Sequence, residues 1–202
     1  MKKIFSILLM LCMLFALGAC NSGDETEKTT IPNPDIEPVE IEDSSLAGYL
    51  DNCAYFGRCN WNDFTESEQK AISKKASEVN VKLNVSNDGV ITLLDPSGMI
   101  IEYGGTWPTD NLLIKSFPVC DAKVAYVYEQ AGVLCYVALY MTKDEAKEYA
   151  KNFESLGYVS EITEADEEKA YYYDAENSSG QMAFIVYEAG ITMLGVMPVS
   201  AV

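Results

Sequence analysis

The chain of 202 residues has no histidine. That absence removes the side chain that titrates nearest neutrality and the commonest metal ligand, so it excludes Ser-His-Asp triads and histidine metal centres. Basic residues are scarce, with 14 Lys and Arg against 31 Asp and Glu, and the formal net charge is −17. A chain so charged has no broad phosphate-binding face, which argues against nucleic acid as a partner. No C-x-x-C pair occurs, so neither a redox dithiol site nor a cysteine-based zinc site is indicated. Beyond residue 19 no apolar run is long enough to cross a bilayer.

What is present begins at the N-terminus. Lys2 and Lys3 precede an apolar run at 4–17, the length of a signal-peptide core and short for a membrane span. Residues 1–19 are therefore expected to be a signal peptide. Leu17-Gly18-Ala19-Cys20 resembles a lipobox. The resemblance implies cleavage before Cys20 and a diacylglycerol, with palmitate-type chains, on its sulfur. Residues 20–45 are acidic, contain proline and are poor in large apolar side chains, which is the composition of a disordered tether. The expected location is the cell envelope, outside the cytoplasm, with the lipid on Cys20 as membrane anchor. Asn21 after that residue is compatible with the outer membrane or cell surface.

Loss of residues 1–19 takes Lys2 and Lys3 with it and leaves a net charge of −19. Such a charge keeps an envelope protein soluble and suits cationic partners. Cys53, Cys59, Cys120 and Cys135 remain as an even set, and outside the cytoplasm two disulfides are expected. The local pairing Cys53–Cys59 and Cys120–Cys135 is preferred among the three connectivities.

The folded part reads as α+β, with antiparallel sheets each packed on one helix and arranged as two similar small subdomains. Residues 46–105 form the first. Its start, 46–64, is irregular and aromatic. Thr65-Glu66-Ser67-Glu68 is a capping box, and a helix follows to about Glu78. Three short strands follow, separated by Asn87-Asp88-Gly89 and by a turn over 95–98. Residues 106–202 form the second unit, β-β-α-β-β-β. A hairpin over 123–141 is followed by the capping box Thr142-Lys143-Asp144-Glu145. The helix ends near Leu156 with Gly157 as its cap. After a polar stretch, strands are expected at 169–175, 181–188 and 191–197.

Gly105-Thr106-Trp107-Pro108-Thr109-Asp110-Asn111-Leu112, followed by Phe117-Pro118 and the later TKDEAKEYAKNFESLGY run, resembles an uncharacterised lipoprotein family of gut anaerobic bacteria. In that family a Trp-Pro segment leads into a β-β-α-β unit. The resemblance spans about residues 104–197 and implies no catalytic residues and no cofactor.

Candidate contact residues are therefore aromatic. Trp107 sits in the Trp-Pro segment. Tyr171 and Tyr173 share one face of a strand, with Tyr172 on the other. Trp61 and Tyr55 flank Cys59 and Cys53. Exposed rings of this kind stack on sugars or peptides, and the same rings also pack half-buried sheet faces. Asp174, Glu176 and Asn177 supply oxygens but lack the spacing of a calcium loop. No catalytic residue, metal ligand or cofactor is expected. The leading expectation is a non-catalytic binding or interaction domain on an envelope lipoprotein, with a protein or saccharide partner. The alternatives are a carboxylate-based envelope hydrolase and a protein inhibitor or assembly factor.

Overall fold

A computed structural model describes residues 45–130 and 133–199. The signal peptide, the lipidation at Cys20 and the tether, up to residue 44, lie outside the described residues. The first element is a helix, α1 (Leu46–Tyr55), where sequence reading expected irregular chain. The Ser45 hydroxyl accepts from the Gly48 amide and caps it. Leu46, Leu50, Cys53 and Ala54 form its buried stripe. Gly48 within the helix and only ten residues of length weaken the sequence signal, and burial against the sheet is what holds it. A 3₁₀ turn, Trp61–Asp63, leads to α2 (Glu66–Glu78), which starts at the expected Thr65/Glu68 capping box.

The strands are β1 (Lys82–Val85), β2 (Ile91–Leu94), β3 (Met99–Tyr103), β4 (Val124–Gln130), β5 (Leu134–Leu139), β6 (Tyr158–Asp166), β7 (Ala170–Asn177), β8 (Gln181–Glu188) and β9 (Ile191–Pro198). Between β5 and β6 lie α3 (Lys143–Ala150) and α4 (Asn152–Ser155). All nine strands make one antiparallel sheet in the order β1-β2-β3-β4-β5-β9-β8-β7-β6. The fold is thus α+β with helices packed on an antiparallel sheet, as expected, but the strands of the two anticipated subdomains are continuous. The joint is β3–β4, where Ile101 faces Tyr128 and Tyr103 faces Tyr126. The two halves come together because β4 offers apolar side chains on both faces and a free edge to β3.

Strand alternation divides the core in two. On one face, Ile91, Ile101, Tyr103, Tyr126, Tyr136, Phe184 and Met193 pack with Leu46, Leu50 and Ile72 of α1 and α2. On the other face, Val127, Val137, Leu139, Ile185 and Leu194 pack with Ala146, Tyr149 and Phe153 of α3 and α4. Gly195 sits in a row between Tyr136 and Phe184, and the Phe184 ring lies over it. A Cβ there would come within 2.5 Å of Tyr136 Cβ and 2.6 Å of Phe184 Cζ. The bare backbone is what lets these aromatic rings close over the middle of the sheet.

The expected disulfides are not formed: Cys53, Cys59, Cys120 and Cys135 are free thiols. The reason lies in where the fold sends them. Cys120 Sγ contacts Met141 Sδ at 3.8 Å, beyond the far end of β5. Cys135 lies near the start of that strand, so the two are separated by roughly 15–20 Å of extended chain. A disulfide needs Cα atoms within about 7 Å. The Cys53 thiol meets the Tyr49 hydroxyl on α1, whereas Cys59 meets the Tyr140 hydroxyl. Among the described residues no helix is long and apolar enough to cross a membrane, so no helical anchor lies within them, and the lipid anchor expected at Cys20 lies outside them.

Candidate functional site

The α1 C-terminus turns over at Phe56 and Gly57, the latter at φ +83°. Phe56, Gly57 and Arg58 send their amides back to Cys53 and Ala54 carbonyls, which fixes this turn. Tyr55 and Phe56 fall off the buried stripe of α1, which is Leu46, Leu50, Cys53 and Ala54. Both therefore stand outward, 41% and 71% exposed, as a T-shaped pair with ring centroids 5.1 Å apart. The loop behind them is held by hydrogen bonds. The Asp63 carboxylate accepts from the Cys59 and Asn60 amides at 3.1 and 2.9 Å. The Arg58 guanidinium donates to the Asp63 carbonyl and to Glu68 Oε1 at 2.8 Å, and lies over the Phe64 ring. The Trp61 amide donates to the Gly89 carbonyl, tying the loop to the β1–β2 turn.

Beneath α1 lies a polar network within the aromatic core. The Tyr103 hydroxyl donates to Asp51 Oδ1 at 2.7 Å and reaches the Ala47 carbonyl at 3.2 Å. The Tyr140 hydroxyl donates to the Ala54 carbonyl near the other end of the helix. Tyr126 and Tyr136 share a hydroxyl hydrogen bond, and Tyr136 stacks on Tyr128 at 4.9 Å. Burial pushes the Asp51 carboxyl up to about 6, and the Tyr103 hydrogen bond offsets part of that rise. On β7, burial also raises Asp174 to about 6, against a hydrogen bond from Thr163. These two raised carboxyls do not make a hydrolytic pair. Asp51 is held at Tyr103 on β3, five strands from Asp174 on β7, which is roughly 24 Å across the sheet. Glycosidase carboxyls stand about 5–9.5 Å apart. Among the described residues no group of three or more Cys, Asp or Glu is arranged to hold a metal ion.

The remaining sequence candidates are placed as follows. Trp107 is buried, 6.2 Å from the Tyr149 ring, and covers one end of the core between β4 and α3. Tyr171 is buried, its hydroxyl donating to Glu164. Tyr173 is half-buried and meets Phe153 edge-on. Trp61 is half-buried, with its ring against the α1 side of the core. Of the five aromatic candidates, Tyr55 alone is exposed, with more than half of its surface still covered. Sequence reading missed Phe56, its neighbour, and the signal for it was present: an aromatic pair directly before Gly57. A shallow cleft between α2 and the β2–β3 turn, lined by Asn80, Lys82, Leu94 and Asp95, holds no aromatic side chain. No protein-family model, no curated protein and no solved structure matches the chain.

Proposed function

We propose that the chain is an exported envelope lipoprotein, held through lipid on Cys20, whose folded part is a non-catalytic interaction module with Tyr55–Phe56 as its contact tip. The observation that carries this reading is the exposure of Phe56. A phenyl ring 71% in solvent contributes little to folding, yet the turn that presents it is braced by Arg58, Asp63 and Glu68. Rigid aromatic side chains give large contact area for little ordering entropy, which suits a protein partner. The likeness of the Trp-Pro segment to lipoproteins of gut anaerobes fits this reading and adds no chemistry to it.

The test is the double variant Tyr55→Ala/Phe56→Ala in cells. Partners are trapped with a short chemical crosslinker and identified by mass. Stability is expected to stay within about 0.5 kcal/mol of the parent, while the crosslinked species seen with the parent disappears. An unchanged set of crosslinked species would overturn the assignment of the tip.

A further inference from the structure

The sheet has two edges among the described residues, β1 and β6. An edge strand turns a row of backbone N–H and C=O groups outward, and proteins blunt that row by shortness, bulges or charge. β1 is four residues long and packs beside α2. β6 is the longest strand, at nine residues, and carries a bulge and charge, but beyond the bulge its pairing is regular over 163–166. Val159 and Ile162 are 58% and 54% exposed on it. Its register with β7 breaks around Glu161, at φ +52°, and then runs regularly from Thr163 opposite Asp174 to Asp166 opposite Tyr171.

The charge along this edge has one sign. Glu161, Glu164 and Asp166 lie on the strand, and Glu167 and Glu168 follow it. Lys143 and Lys147 both go to Asp166, at 3.0 and 2.5 Å, and Lys147 also feels the Glu164 charge, so these two cations offset only part of the acidic row. A second copy of the chain is a poor occupant, because an antiparallel β6–β6 pair would set these acidic rows against one another.

We propose that β6 accepts an extended cationic segment of another protein as a tenth strand along residues 162–166. Backbone hydrogen bonds supply the affinity. Lys or Arg side chains on one face of the segment meet Glu164, with Glu161 at the bulge beyond it, and the apolar side chains of its other face lie beside Thr163 and Ala165. The net charge of −19 on the processed chain draws such a segment in from a distance. The proposal stands on a different surface from the aromatic tip and does not depend on it.

The test uses the ¹⁵N-labelled processed chain, without lipid, titrated with an end-blocked peptide alternating lysine and valine. An otherwise identical peptide with glutamate for lysine is the control. Amide shifts centred on residues 158–166, slowed exchange of the outward amides and loss of both in high salt are expected, with no response to the glutamate peptide. Glu161→Gln/Glu164→Gln keeps acceptors in place and is expected to weaken binding by about tenfold. Shifts confined to other strands or to the aromatic tip, an equal response to both peptides, or no shift at millimolar lysine peptide would overturn the proposal. The same spectrum of the variant shows whether its fold is intact.

Discussion

Asp51 is the residue on which the seat of α1 turns. Its carboxyl enters the aromatic core and meets Tyr103 at 2.7 Å, and burial raises its proton affinity to about 6. An unfolded Asp titrates near 3.9. Between about pH 4 and pH 6 the folded chain therefore holds a proton that the unfolded chain has lost. The contribution of Asp51 to stability falls as pH rises through this window and is level above it. Asp51→Asn keeps an acceptor for Tyr103 and removes the charge. Urea unfolding of the variant and the parent is expected to agree near pH 4, with the variant gaining about 2–3 kcal/mol by pH 7. A pH-independent difference would contradict the placement of this carboxyl.

The cysteines belong to the same scale. An even count in an exported chain is a fair sign of disulfides, but count and spacing do not say which way a thiol points. Cys135 faces the core from β5, where burial pushes its pKa up to about 12 and keeps it protonated. Alkylation of the processed chain in denaturant without reductant is expected to label Cys53, Cys59, Cys120 and Cys135, and a mass gain short of four labels would mean a disulfide. The sole buried side-chain polar atom without a partner among the described residues is Thr192 Oγ1, on β9.

Elements were legible where their signals are local. Thr65/Glu68 and Thr142/Glu145 cap α2 and α3 at the expected residues, and the β7–β8 and β8–β9 turns fall where expected. Two elements were not legible. α1 owes its helix to the burial of Leu46 and Leu50 against strands far along the chain. β6 reads Tyr-Val-Ser-Glu-Ile-Thr-Glu-Ala-Asp and exposes most of it, so neither alternation nor apolar content marks it as a strand. Gly195 shows an element fixed by its neighbours. Gly195→Ala would push a methyl into Tyr136 Cβ, Phe184 Cζ and the Cys135 carbonyl. A loss of about 2–3 kcal/mol is expected in denaturant unfolding, and a neutral outcome would show that the Phe184 ring does not lie over the backbone as described.

At the scale of the molecule, the α+β class followed from the alternation of strands and capped helices, but the single sheet did not. Joining β3 to β4 spans a connector of twenty residues, 104–123, and placing β9 beside β5 carries the last strand into the middle of the sheet. Neither pairing leaves a local mark. The same long-range packing decided the fate of the candidate aromatics. Trp107 and Tyr171 are buried because the connector and β7 close over α3 and α4. Tyr55 is left out because α1 ends at the rim, beside the turn at Gly57.

The central claim is that the Tyr55–Phe56 tip is where this molecule meets its partner, and a photo-crosslinking side chain tests it most directly. Benzoylphenylalanine is placed at Phe56 and, separately, at Lys74 on the solvent side of α2, whose side chain is 79% exposed. Irradiation of intact cells is expected to give a discrete crosslinked species from position 56 and none from position 74. Equal crosslinking from both positions, or crosslinking from position 74 alone, would contradict the account.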